Sequence, residues 1–265
     1  MLRVAFTFLM VLPSVLVART YQIQYRCDES DAQRVREIVD SRLAFIEAAV
    51  VDEFDDDFEN VHRQSISFEA RDDLFGLIGR LFHFHGSLSL VPVVPVGDAV
   101  PEVETSPGVQ VVPDEAEDCW FIVGDGMYRI IQDGAYWRLD PTEGRDESWR
   151  RHFYLLETEE ALGLDGKIAH VNPVDDTPEP YLTVNLRDEY APELEDLTGD
   201  NLGRRLALII DDDEVVTTIV VNDVIGNGQF KIGFLRDDIG TLLLVWLSGE
   251  LLPGSYDLSS VGADY

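Results

Sequence analysis

Lysine is almost absent from this chain: among 265 residues only Lys167 and Lys231 are lysines. Arginine brings the basic total to 20 against 51 aspartates and glutamates, so 20 − 51 gives a net charge of −31. A surface that tracks phosphates needs clustered Lys and Arg. The shortage therefore excludes nucleic acid and anionic membrane surfaces as partners. Cysteine is scarce too, and Cys27 and Cys119 are the only pair. No CxxC or HxxxH spacing accompanies them, which argues against a zinc site built on cysteines, and no metal or cofactor is expected. There is no Walker A loop, dinucleotide fingerprint or G-x-S-x-G elbow, so no catalytic residue is assigned. Past residue 18 the longest apolar run, Leu242 to Leu247, falls far short of the ~20 residues that span a membrane.

What is present describes an exported globular chain. Hydrophobic residues make up 45% and aromatics 10%, enough for a packed core, so the acidity does not mean disorder. Met1-Leu2-Arg3 is a short basic start, Val4 to Val17 is an apolar or small run, and Ala18 offers a cleavage site. Residues 1–18 read as a signal peptide, with an uncleaved anchor as the alternative. The expected location is periplasmic or exported. Disulfides are allowed there, and Cys27 and Cys119 are candidates for one.

The hydrophobic pattern gives most elements. Tyr21 to Tyr25 alternates as a strand. Ser30 with Gln33 has capping-box spacing, and Val35, Val39, Leu43, Ile46 and Val50 form one face of a helix. Ser65 to Phe68 is a short strand, Leu74 to Phe82 an amphipathic helix, and Leu88 to Val91 a third strand. Val91 to Glu117 is broken by five prolines, from Pro92 to Pro113, and reads as an extended connector or edge segment. Trp120 to Leu139 reads as short strands, Tyr181 to Leu186 as another, and Asp188 to Asn201 as a helix with Pro192 in its first turn. Leu206 to Ile210 and Val215 to Val221 should pair across the Asp211-Asp212-Asp213 turn. Gln229 to Phe234 follows the Gly226-Asn227-Gly228 turn. Asp237 or Asp238 caps a last helix ended by Gly249.

A set of motifs runs through the second half. Tyr154-Leu155-Leu156-Glu157 is followed by Asn201-Leu202-Gly203-Arg204-Arg205-Leu206-Ala207, then Gly228-Gln229 and Gly233-Phe234. A leucine-rich helix then ends in Gly249-Glu250-Leu251-Leu252-Pro253. In order and spacing this resembles the first periplasmic domain of the SecD/SecDF protein-export family, from about Tyr154 to Pro253. Asp31 to Val93 is similar to the family's base subdomain by pattern, and the resemblance does not extend to Pro95 to Arg150. Two departures stand out. The strand Val216-Thr217-Thr218-Ile219 lacks the family's proline, and Phe230-Lys231-Ile232 replaces shorter residues. No counterpart of the family's membrane-embedded charged residues follows Pro253.

The resemblance implies an α+β fold. A ferredoxin-like base, an antiparallel sheet with helices on one face, would comprise 19–93 and 229–253. An inserted α+β head would span 94–228, and 254–265 would be a tail. In the family this module contacts the emerging preprotein and swings relative to its base. The expected partners are therefore unfolded or translocating polypeptide and the export machinery. Trp120, Phe121, Tyr128, Tyr136 and Trp137 read first as the core of a small β unit, with a polypeptide-binding role as the alternative; Trp149 joins them in sequence. Asp52 to Glu59 reads as a solvated helix end, Asp211 to Glu214 as a solvated turn, and His83 with His85 as structural. A hydrolase with a site between head and base, and an acidic envelope protein stabilised by cations, are the alternative functions.

Overall fold

A computed structural model describes residues 18–58, 60–71, 75–124, 126–138, 152–174, 180–233 and 237–263. The signal-peptide reading of the first residues and Trp149 lie outside this range. The chain opens with β1 (Ala18–Asp28), α1 (Ala32–Phe45), β2 (Ala49–Phe58), β3 (Val61–Arg71) and α2 (Phe75–His83). Next come β4 (Leu88–Pro92), β5 (Val103–Thr105), β6 (Gln110–Asp114), β7 (Cys119–Val123), β8 (Tyr128–Ile130), β9 (Ala135–Arg138) and β10 (His152–Leu155). β11 (Leu162–Gly163), β12 (Ile168–Val174), β13 (Tyr181–Leu186), α3 (Ala191–Asp200), β14 (Arg205–Ile210) and β15 (Glu214–Val220) follow. β16 (Gln229–Gly233), α4 (Asp237–Ser248) and β17 (Asp257–Ala263) close the chain.

The first sheet has four strands in the order β17-β1-β3-β2, with every neighbouring pair antiparallel. Strict alternation along β1 buries Tyr21, Ile23, Tyr25 and Cys27 and leaves Gln22, Gln24 and Arg26 in solvent. One face of the sheet is thus covered, and α1 packs on β1 while α2 packs on β17. The long sheet has eight strands in the order β11-β4-β14-β15-β9-β10-β7-β6, and a short sheet of three strands is ordered β12-β13-β16. α4 lies against β12 and β13 as well as α2. One core therefore runs continuously from Tyr21 and Phe68 through Phe82 and Leu243 to Val184 and Ile232. Two smaller clusters lie on opposite faces of the long sheet, one around Val91, Tyr154 and Ile209 on the face away from the main core, and one around Trp120 and Phe153 on the other. The mixed α+β class is as expected.

Several segments pair elsewhere than expected. Leu88–Pro92 joins the long sheet beside β14, not the first sheet. Gln229–Gly233 pairs with β13 in the short sheet. Asp257–Ala263, read as a tail, supplies the edge strand beside β1. Local periodicity identifies a strand but not its partner, because pairing is decided by contacts distant in sequence.

Two local readings are also corrected. α1 stops at Phe45, and Glu47 adopts a positive φ of 55°. The chain turns there, so Val50 and the acidic stretch after it form β2, a strand and not a helix end. Ser30 does not cap α1; the N-cap position is Asp31, with no side-chain cap bond. β2 is an exposed edge strand dense in Asp and Glu, which discourages another chain from pairing with it. Arg36 links Asp40 to Glu53 across the α1–β2 corner, and that bond holds the Glu53 carboxyl below its usual range. The proline-broken connector behaves as expected: Pro113 sits in β6, the edge strand of the long sheet, where a missing N–H costs no ladder bond. Cys27 and Cys119 do not form a disulfide. Both are buried thiols, one on the first sheet and one on the long sheet, in different cores.

Tyr25 and Tyr256 sit side by side in the first core with ring centroids 5.4 Å apart. Tyr25 donates to Gln64 and Tyr256 to the Phe82 carbonyl. Burial pushes both phenols well above their ordinary value of 10.0. The unfolded chain then ionises at a lower pH than the folded one. Their stabilising contribution is present below about pH 10 and is lost as pH rises above it. Urea unfolding midpoints should therefore stay level up to about pH 9 and fall above pH 10. Tyr256→Phe should lower the midpoint at pH 7, by about 1 kcal/mol for the lost hydrogen bond, and make the alkaline fall shallower. An unchanged alkaline slope would refute this origin.

Candidate functional site

The passage from α2 into β4, residues His83 to Ser87, is gripped from both sides. Arg42, almost fully buried on α1, donates to the carbonyls of Leu81 (2.5 Å), Phe84 (2.8 Å) and His85 (2.8 Å). These include acceptors at the end of α2 that lack intrahelical partners, and a cation suits a helix C-terminus. Burial pushes the guanidinium down to about 10, still charged at neutral pH. From the opposite side Asp211 accepts from the amides of His85 (2.6 Å), Gly86 (3.0 Å) and Ser87 (2.8 Å). Its own amide donates to the Ser87 carbonyl. Gly86 has φ +103°, and a Cβ there would stand 3.3 Å from both Arg42 Nη2 and Trp246 Cδ1. Only glycine combines that backbone with that space. Arg80 on α2 pairs with Glu214 on β15 at 2.6 Å, and Asp165 binds the Ser87 hydroxyl and the Leu88 amide. The acidic turn read as solvated is thus partly structural: Asp211 and Glu214 hold the junction, while Asp212 and Asp213 are exposed.

The motifs converge on a second corner. Tyr154, Leu155 and Leu156 are buried on and just after β10, and Glu157 meets Arg204 at 2.8 Å. The same arginine donates to the Val93 carbonyl at 3.1 Å. Gly203, at φ +81°, turns the chain from α3 into β14 so that Arg204 faces that corner. Asn201 donates to the Leu197 carbonyl, while its Oδ1 is buried with no partner among the described residues. Leu206 and Ala207 occupy opposite faces of β14, in the main core and the smaller one. The Gly228 carbonyl accepts from Leu186, and Gln229 donates to Asn185 at 2.7 Å. Gly233 ends β16, Gly249 donates to the Val245 carbonyl at the end of α4, and the Pro253 carbonyl accepts from Tyr256. The motif residues are therefore scaffold: they fix where β10, α3, β14 and β16 lie.

That scaffold frames a groove of about 960 Å³ between β15 and β16, floored by α3 and β14. Leu194, Ile219, Val221 and Phe230 give it an apolar lining, with Arg205, Asp223 and Lys231 among its polar residues. Lys231 lies 4.6 Å from the centre of the Tyr181 ring. β15 pairs with β14 along its length but with β9 only at Glu214 and Val215. Its outer edge from Val216 to Val220 has no strand partner among the described residues. Among the described residues β16 pairs with β13 and with no other strand. Among the described residues, two open strand edges thus flank one groove.

The candidate aromatics lie elsewhere, and none of the five lines this groove. Trp120 is buried against Phe153, Trp137 and Tyr128 pack around them, Tyr136 joins the neighbouring cluster, and Phe121 contacts His152. They pack on the two faces of the outer half of the long sheet, Trp120 buried and the other four half-buried. His83 and His85 do not share a ligand geometry: one ring stands edge-on to Phe84, the other to Tyr256. The groove itself escaped sequence reading. Its one signal was Val215 to Val221, a β-branched strand wanting neighbours on both edges.

Comparison with known proteins agrees with the motifs. The protein translocase subunit SecD of Aquifex aeolicus is 28% identical over 102 residues, which is 38% of this chain and 20% of that protein. SecD of Desulfurispirillum indicum is 37% identical over 81 residues, 30% of this chain and 15% of that protein. The chain spans about a fifth or less of the length of these relatives. A crystal structure of SecDF in its super-membrane-facing form aligns with a TM-score of 0.51 at 16% identity, covering 94% of this chain and 31% of the other. At that identity the likeness speaks for the fold. No family model matches. Together these matches show the chain to be similar to the periplasmic domain of SecD and SecDF. Among the described residues no helix is long and apolar enough to cross a membrane.

The junction predicts a graded response. Asp211→Ala strands three amides and puts alanine at φ +51°, so it should lower stability by about 2–4 kcal/mol. Asp211→Asn tolerates that backbone and keeps an acceptor, and should cost about 1–2 kcal/mol. Urea unfolding checks both. Equal costs for the two variants would contradict the role given to the carboxylate.

Proposed function

We propose that this protein is a non-catalytic export module acting outside the cytoplasmic membrane, which binds an extended stretch of unfolded or translocating polypeptide in the groove between β15 and β16. The observation that carries this reading is the pair of open strand edges on one partly apolar groove. A strand edge offers main-chain donors and acceptors to any extended chain, and apolar pockets accept alternate side chains. Binding of this kind tolerates many sequences, as contact with diverse exported chains requires. The likeness to SecD, a protein translocase subunit by name, supports a partner within protein export, either a passing chain or the machinery itself. The strand order β17-β1-β3-β2 supports a ferredoxin-like base, with the long and short sheets inserted as a head between α2 and α4.

Charge refines the partner. At −31 the module repels acidic segments and favours basic or apolar ones, over a range of ~8 Å at physiological salt. A hydrolase at this site is not favoured. Among the described lining residues Asp223 is the single carboxylate, with no histidine or cysteine beside it.

The test is binding of a fluorescently labelled, permanently unfolded polypeptide followed by anisotropy. Val220 is 42% exposed on the groove, so Val220→Asp should leave the fold intact and weaken binding about tenfold or more, equivalent to about 1.4 kcal/mol. Val100→Asp, at an 85% exposed position outside the groove lining, should leave binding unchanged. Equal affinities for the two variants, or no binding by the parent, would overturn the assignment.

A further inference from the structure

The outer half of the long sheet gathers a donor set that polypeptide binding does not use. Asp114 ends β6 and Cys119 begins β7, directly opposite each other across the hairpin. His152 begins β10 opposite Phe121, two residues along β7 from Cys119. Residues two apart on a strand share a face, as do direct cross-strand partners. A carboxylate, a thiol and an imidazole thus project from one face, and one ligand atom of each lies within 4.8 Å of the others. Around a tetrahedral ion with bonds of ~2.0–2.3 Å, ligand atoms stand roughly 3.3–3.8 Å apart, so small side-chain rotations close the site.

The surroundings are held in place. Asp114 Oδ1 accepts from the Ala116 and Glu117 amides at 3.1 and 3.3 Å, and its second oxygen can ligate. Arg205 bonds the Ala116 carbonyl at 2.6 Å and pairs with Glu117 and Asp118. The β6–β7 turn that aligns Asp114 with Cys119 is thereby fixed before any ion arrives. Cys119 is sealed inside, while Asp114 and His152 are half-buried toward the edge of the sheet. That leaves a route in from solvent and a fourth position for water.

We propose that Asp114, Cys119 and His152 form a mononuclear site for a zinc-class divalent metal ion, with three protein ligands and one open position. Sulfur and nitrogen donors select this class over calcium and magnesium, which take oxygen. As the sulfur–metal bond forms, the Cys119 thiol proton passes to solvent. The ion would pin the edge hairpin β6–β7 to β10. No spacing in the sequence announces the site, because its ligands come from three strands.

The test uses the full chain stripped with a chelator and titrated with cobalt(II). One equivalent should bind with a sulfur-to-cobalt charge-transfer band and intense tetrahedral visible absorption, and zinc should displace it. Cys119→Ser should abolish the charge-transfer band and Cys27→Ser should retain it. His152→Ala and Asp114→Asn change half-buried side chains, so they keep the question open to test if Cys119→Ser fails to fold. Each should weaken binding by about 10–100-fold. Binding without the charge-transfer band, or binding unaffected by His152→Ala and Asp114→Asn, would assign the ion to surface carboxylates and overturn the proposal.

Discussion

The architecture depends on how the chain passes from the first sheet into the inserted sheets. The peptide groups between Leu81 and Ser87 end a helix and begin a strand, so neither element satisfies all of them. Arg42 takes the carbonyls and Asp211 takes the amides. One comes from the first helix and the other from a hairpin about 170 residues later in the chain. Neither charge is paired with the other; each is solvated by backbone dipoles. Such a grip is directional. It fixes the angle at which β4 leaves α2, and with it the position of β14, β15 and the groove.

Charge is distributed with the same economy. Most of the acids serve solubility on exposed strands such as β2, where they also keep the edge from recruiting another chain. A few are structural: Asp211, Asp165, Glu157 and Glu214 each meet a backbone amide or an arginine. The groove is the less acidic region, with Asp223 against Arg205 and Lys231 in the charge count of its lining. A chain repelled by most of the surface would find its favourable contacts there.

The sequence made the last third of the fold legible. β13, β14, β15 and α4 follow clear alternation or helical spacing, and their turns carry Gly or Asp where the backbone needs them. The end of α1 is hidden in the sequence because Val50 continues its spacing; the interruption is the left-handed Glu47, which no local preference announces. β17 leaves no pattern in the sequence, because Leu258 and Val261 are its partly buried contacts, too few for one. The motif residues were visible one by one, but the ion pair between Glu157 and Arg204 joins two of them across 47 positions. Asp211 looked like a solvated turn residue because a run of aspartates usually is one. Its role rests on backbone amides, which leave no trace in sequence.

The account stands on an extended chain pairing with the open edges of β15 and β16. Amide hydrogen exchange, with and without an unfolded polypeptide in excess, tests this most directly. It predicts new protection concentrated in residues 216–220 and 229–233, with the first sheet unchanged. Binding that protects neither segment, or that protects the first sheet instead, would contradict it.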